Sequence, residues 1–269
     1  MHEPPQIPPQ TNDSAYIEKA HEAFCGPFTL SVSIVIPFYK GREILARTLA
    51  SLINQTYPAH LIEVIITDDG SPEPVLEVIK EFESRLHLRY TRQEDLGFRC
   101  STARNRGIEL AQGEVIISLD FDMICPPHLV ASHLSWFHVS DRVATIGWRK
   151  FVNAQHITID DVISRFEMID SLPVLKSISG QAPTGDYDYR TKVFANFPYL
   201  LTPAFYFFSC NVAYRRSQAL AIGGWDEDYN YHYGYEDIDF GHRLWLSGIF
   251  LVAVADAFAY HQENDAVSF

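Results

Sequence analysis

The sequence has no apolar run near the roughly 20 residues that a membrane-spanning helix needs. Its opening, Met1-His2-Glu3-Pro4-Pro5, has neither the basic start nor the apolar core of a signal peptide. These absences set the expectation of a cytoplasmic chain with no membrane span, leaving peripheral membrane association open. Cysteine is scarce: Cys25, Cys100, Cys125 and Cys210 stand far apart, without the paired spacing of a zinc site or a disulfide framework, and read as structural thiols. Positive charge is also in short supply. With 21 Lys and Arg against 34 Asp and Glu, the formal net charge is -13, the wrong sign for holding nucleic acid by its phosphates. An acidic protein still binds a phosphorylated molecule when a divalent cation supplies the missing positive charge, which directs attention to carboxylates placed to hold a metal.

What the chain does have is apolar content, 47% over 269 residues, enough for one sizeable domain. Residues 1–28, rich in Pro and polar residues, read as a flexible or loosely docked N-terminal arm, and 29–269 as a single domain. The β-branched run 31–36 reads as a strand stopping at Pro37, and 43–53 carries apolar residues at helical spacing. A second strand, 62–66, ends at Thr67-Asp68-Asp69-Gly70-Ser71. There follow a helix over 73–85, a strand over 88–91, and a helix over 101–111 with Ser101 as N-cap and Gly113 closing it. A buried strand over 114–119 then ends at Asp120. This alternation predicts an α/β fold with a mainly parallel, Rossmann-like sheet, helices on both faces, and ligands beyond the carboxyl ends of the strands. The second half is less regular. Helices are expected over 160–170 and 234–247, while 179–203 mixes Gly, Pro, Tyr and Asp without a period and reads as a functional loop.

Two acidic clusters sit where strands stop: Asp68-Asp69 and Asp120-Phe121-Asp122. In a parallel sheet those ends converge on one crevice. Two Asp residues with one residue between them can both reach a small hard cation, directly or through water. Mg²⁺ and Mn²⁺ favour oxygen ligands and take the rest of their shell from substrate phosphates. An acidic turn is the plainer reading, but the position after a fully apolar strand, with a second carboxylate pair at another strand end, favours a cation.

The motifs Val32 to Tyr39, Leu52-Ile53-Asn54-Gln55-Thr56-Tyr57-Pro58, Asp68-Asp69-Gly70-Ser71, Ala103-Arg104-Asn105-Arg106-Gly107 and Leu119 to Met123 together resemble the nucleotide-binding half of family 2 glycosyltransferases with the GT-A fold. Leu96-Gly97-Phe98 and Met123 resemble, within that family, the catalytic domains of bacterial chondroitin polymerase-like enzymes. The resemblance implies a nucleotide-binding half over 29–127 and an acceptor-binding half over 128–269, with 179–203 on the acceptor side. It implies that the donor is a UDP-sugar. Pro37 and Tyr39 would lie at the base, with Tyr39 stacking on it, and Asp69 would accept from its imide N–H. Arg104 would position donor groups or form an ordinary ion pair with a crevice Asp. Asp120 would bind the ribose or a metal-bound water, and Asp122 would ligate Mn²⁺ or Mg²⁺ directly. Phe121, where a small or polar residue is common, need not face the ion.

Ser209 to Arg216, Gly223-Gly224-Trp225-Asp226-Glu227 and Tyr235 to Phe240 resemble the acceptor-side segment of the same enzymes and the corresponding region of galactosyltransferases. There an acidic pair opens a helix and its second member is the catalytic base. Here that pair is Glu236-Asp237: Asp237 would deprotonate an acceptor hydroxyl and Glu236 would hydrogen-bond sugar hydroxyls. A carboxylate in a first helical turn is also what the helix dipole favours. Trp225 either offers a platform to the acceptor ring or fills the core. His261 resembles a third metal ligand on a segment folding back over the donor. The expected activity is inverting, metal-dependent transfer from a UDP-sugar to a hydroxyl of a saccharide or glycoconjugate. A retaining transferase is disfavoured by the base at Asp237. A nucleotidyltransferase would need a Gly- and basic-rich phosphate loop, which only Lys40-Gly41-Arg42 approaches. A non-catalytic nucleotide-sugar-binding module is the remaining alternative.

Overall fold

The apolar, β-branched runs form the centre of one sheet. The structure, a computed structural model, describes residues 12–72, 75–175, 188, 190–194 and 196–263. Its strands are β1 (Val32–Phe38), β2 (Ile62–Asp68), β3 (Leu88–Arg92), β4 (Val115–Leu119), β5 (Met123–Ile124), β6 (Val143–Asn153), β7 (Asn211–Arg215) and β8 (Phe250–Glu263). They lie in the order β3-β2-β1-β4-β7-β6-β8-β5. The first four are parallel. β7 runs antiparallel to both β4 and β6, β8 is parallel to β6, and β5 is antiparallel to β8. The sheet is therefore parallel where the N-terminal half builds it and mixed where the second half extends it.

The helices are α1 (Ala15–Glu22), α2 (Arg42–Leu52), α3 (Leu76–Phe82), α4 (Cys100–Leu110), α5 (Leu129–Phe137), α6 (Ile159–Ser164), α7 (Glu167–Asp170), α8 (Thr191–Phe194), α9 (Arg216–Ala221) and α10 (Glu236–Leu246). Because successive strand residues face opposite ways, Ile34, Ile36, Val64 and Ile66 pack with Leu49 of α2, Val78 of α3 and Leu129 of α5. Val35, Ile65 and Ile116 pack with Ile108 of α4 and Phe240 of α10 on the other face. Helices thus cover both faces.

Local differences from expectation have identifiable causes. β1 runs through Pro37 because Phe38 turns its carbonyl to β2, accepting from the Asp69 N–H at 2.8 Å. Pro37 consequently faces the β4 side, where pairing already ends at Val35, so its missing N–H removes no ladder bond. Arg99, not Ser101, occupies the N-cap of α4; Asp69 takes the Arg99 N–H at 2.8 Å, and Ser101 is buried in the first turn. The helix expected over 160–170 is two, α6 opening on a Thr158/Asp161 capping box. Of the N-terminal arm, residues 1–11 lie outside the described residues. From Asn12 onward it docks: Asn12 exchanges hydrogen bonds of 2.6 and 3.0 Å with the backbone of Leu251, and Ile17 of α1 is buried beside Trp136 and Phe250. Part of 179–203 also lies outside the described residues.

Candidate active site

The carboxyl ends of β1, β2 and β4 open together, which brings the two acidic clusters to one side of the sheet. At the end of β2 every carboxylate oxygen has a partner. Asp68 accepts from the Ser71 N–H at 2.7 Å and from the Tyr90 hydroxyl at 2.9 Å. Asp69, 6% exposed, accepts from the Gln93 side-chain amide and from the Arg99 N–H. Burial pushes the Asp69 carboxyl above the usual carboxylate range, and those two hydrogen bonds oppose the shift. The turn needs Gly70, at φ +80, since a Cβ there would meet the Asp95 backbone at 2.4 Å. Tyr39 stands open at the end of β1, its hydroxyl donating to Asp95 at 3.3 Å. Pro37 is buried, so its ring offers no surface to a ligand.

Arg104, on the buried face of α4, ties this end to the second half. Its guanidinium donates to Glu236 Oε1 at 3.0 Å and to Asp120 Oδ1 at 3.4 Å. Burial works against its charge, but Cys100, Asp120, Glu236 and Asp237 outweigh that and hold its pKa above the ordinary arginine value. Beneath it, 4.9 Å from the guanidinium carbon, lies the Trp225 ring. Trp225 corrects the acceptor-platform expectation. It is 1% exposed, stacked on Phe240 at 4.0 Å and bonded through its indole N–H to the Tyr214 hydroxyl at 3.3 Å, so neither ring face is open to a sugar. Open aromatic rings lie nearby instead: Tyr231, Tyr233, Tyr235 and Phe98 are exposed, with the Phe98 and Tyr233 rings 6.1 Å apart. The alternation Tyr231-His232-Tyr233-Gly234-Tyr235 was the sequence signal for them.

Asp122 meets His261 because β5 pairs with β8, Met123 opposite His261. The Gln262 N–H donates to the Asp122 carbonyl at 2.9 Å, and Asp122 Oδ2 stands 3.3 Å from His261 Nε2. The other ring nitrogen stands 3.1 Å from Glu263 Oε1, a neighbour that the sequence alone did not flag. Burial pushes the Asp122 carboxyl up to about 6, with His261 opposing and Asp120 adding to the shift. Burial pulls the His261 pKa down, but Asp122 and Glu263 reverse this, leaving it raised. Asp122 Oδ1 is buried without a hydrogen-bond partner. Phe121 turns away from the pair, its ring edge-on to Phe38 at 5.4 Å. Adjacent donors on one cation, each at ~2.1 Å, stand roughly 3 Å apart, so the Asp122–His261 spacing and the unpartnered oxygen fit a shared divalent ion. Among the described residues no group of three or more His, Cys, Asp or Glu is gathered to hold a metal alone; the remaining ligands would come from water and substrate.

Glu236 and Asp237 open α10, after Tyr235 at φ +75. Burial pushes the Asp237 carboxyl up to about 6, Glu236 adds to the shift and Arg104 opposes it. A carboxyl at that position titrates near neutrality, as a general base requires. Glu236 Oε2 is buried and unpartnered. Asp120, Asp122, Arg104, Glu236, Asp237 and His261 are thus linked through contacts or electrostatic coupling, with Asp69 and Tyr39 at the neighbouring strand ends.

A half-parallel sheet with strand-end carboxylates facing an acidic helix start defines the class: an α/β protein of the GT-A glycosyltransferase fold. More particularly, the chain belongs to glycosyl transferase family 2, whose model matches residues 33–219; a model described as the N-terminal domain of galactosyltransferase matches residues 191–263. The chondroitin synthase of Escherichia coli is 36% identical over 96% of this chain and 39% of its own length. The hyaluronan synthase of Pasteurella multocida is 37% identical over 87% of this chain and 25% of its own. The chain therefore spans only a quarter to two fifths of these relatives. Among solved structures, S. aureus TarS superposes with a TM-score of 0.63 at 16% identity, covering 87% of this chain and 37% of that one. The Pyrobaculum calidifontis mannosyltransferase PcManGT, in complex with GDP-Man and Mn²⁺, superposes at 0.62 and 15% identity, covering 94% and 65%. These two likenesses concern the fold.

Proposed function

We propose that the chain transfers a sugar, with inversion, from a UDP-sugar to a hydroxyl of a saccharide or glycoconjugate. The observation that carries this is the Asp120–Arg104–Glu236 bridge, at 3.4 and 3.0 Å, which sets the acidic start of α10 against the strand-end carboxylates. Asp237 takes the acceptor proton as the C–O bond forms, a contribution typically of about 10²–10⁴ in rate. Attack from the face opposite the leaving group inverts the anomeric centre. Asp69 and Tyr39 hold the base, Asp120 the ribose or a metal-bound water, and Glu236 the sugar hydroxyls. Asp122 and His261 would hold Mn²⁺ or Mg²⁺, which when bound supplies Lewis-acid stabilisation of the departing diphosphate. The PcManGT complex with Mn²⁺ and a TarS complex with UDP support a metal and a nucleotide donor. No helix among the described residues is long and apolar enough to cross a membrane.

Screening UDP-sugars for Mn²⁺-dependent UDP release, in wild type and Asp237→Asn, tests the proposal. Release in the wild type that collapses in the variant is expected. Binding without release would support a nucleotide-sugar-binding module, and indifference to every UDP-sugar and to Mn²⁺ would end the reading.

A further inference from the structure

Arg149 escaped the sequence reading, yet it sits behind the crevice carboxylates. It lies on β6 two residues before Phe151, which is in register with His261 of β8. The guanidinium carbon is 4.9 Å from the Phe151 ring and 5.8 Å from that of Phe208, and the Phe151 ring is 5.1 Å from that of His261. On its other side, Nη1 contacts Cys210 Sγ at 3.6 Å, and the Cys210 carbonyl accepts the Asp120 N–H at 3.2 Å. One residue connects Arg149 to each of the two places where donor phosphates and a cation would lie.

Its charge is only loosely answered. Its ion pair joins Arg149 Nε to Asp188 Oδ2 at 3.9 Å, beyond hydrogen-bonding distance. The same oxygen is already held by Arg190 through Nε at 2.8 Å and through Nη2. Arg190 is fully buried and bonds Tyr206 as well. Two guanidiniums share that carboxylate, and Arg149 Nε is buried with no hydrogen bond. A partly desolvated guanidinium with an unused donor favours an anion, and its planar fork suits phosphoryl oxygens.

We infer that Arg149 binds the diphosphate of the nucleotide donor and continues to hold it as UDP. The inference rests on the UDP-sugar reading above. Its field reaches the same carboxylates: Asp120 and Asp122 both act to raise the Arg149 pKa against burial.

The test is calorimetric titration, with Mn²⁺ present, of UDP and of uridine, which lacks phosphates, into wild type, Arg149→Ala and Arg149→Lys. UDP affinity is expected to fall roughly 10- to 100-fold in Arg149→Ala, with partial recovery in Arg149→Lys and uridine unaffected. Equal weakening of UDP and uridine would make Arg149 merely structural. Unchanged UDP affinity would overturn the inference, including the case where the acceptor KM rises because the anion recognised lies on the acceptor. If Arg149→Ala melts, Arg149→Met keeps the apolar stem between the two Phe rings and takes its place. Wild type that binds no UDP brings down the donor reading itself; wild type that binds UDP as tightly as a folded Arg149→Ala brings down this inference alone.

Discussion

The two carboxylate groups of the crevice are held in opposite ways. Asp68 and Asp69 have both oxygens occupied by hydrogen bonds from their own neighbourhood. Asp122 and Glu236 each keep a buried oxygen with no partner, and Asp122 and Asp237 are both pushed up to about 6. The first group is a finished, preorganised surface for a ligand to meet. The second is a concentration of like charge in a poorly solvated place, tolerable because Arg104 and His261 sit against it and relieved further by whatever cation or proton arrives.

The comparison can be broken most sharply at Asp237. Asp237→Asn should lower turnover by about 10²–10⁴ while leaving UDP binding near wild type, read from UDP release alongside calorimetry. Next in size, Asp122→Asn should raise the Mn²⁺ concentration needed for half-maximal activity by about 100-fold or more, whereas Asp69→Asn should leave that concentration unmoved and weaken uridine binding roughly tenfold. If Asp69→Asn instead shifted the Mn²⁺ requirement, the two groups would not be separate in function.

Acidity offers a finer probe. At saturating Mn²⁺, kcat/KM should fall about tenfold per pH unit below about 6, because the protonated Asp237 cannot accept the acceptor's proton, and should be flat above. The stability effect has the opposite sign. Folding raises this carboxyl from 3.8 to about 6, so its stabilising contribution is present below 3.8 and is lost as pH rises through about 6. Asp237→Asn should therefore melt a few degrees higher than wild type at pH 7 and almost alike at pH 3.5, by thermal scans at both. Smallest of all, Trp225→Phe should leave the acceptor KM unchanged while lowering the melting temperature, since Trp225 packs on Phe240 and under Arg104; a large rise in acceptor KM would restore it as a platform.

Much of the parallel half was legible because its signals are local. The runs before Asp68 and Asp120 are buried throughout, and a fully buried strand needs no polar alternation to be recognised. Pro37 misled because which side of a strand a residue faces depends on where its neighbour strand ends. Ser101 misled because α4 starts earlier than a local cap would place it, where the Arg99 N–H reaches Asp69 beyond the end of β2. In the second half, β6 carries Trp148-Arg149-Lys150-Phe151, a polar and aromatic mixture that resembles no simple strand, and the arm before β1 looked loose because its anchor, Leu251, is 239 residues away from Asn12.

The sequence by itself placed Asp69, Asp120 and Asp122 at strand ends, through periodicity and punctuation that the chain carries within a few residues. Its resemblance to family 2 glycosyltransferases singled out Glu236 and Asp237 at a helix start. Only the tertiary structure decided how His261 reaches Asp122, that Glu263 stands beside it, that Trp225 is core, and that Arg149 stands behind the crevice. The placements of His261, Glu263 and Arg149 depend on long-range pairing, β5 against β8 and β6 against β8, and that of Trp225 on its packing against Phe240 and Tyr214; burial, whose effect on charge exists only once the sheet has closed around it, adds to all of them.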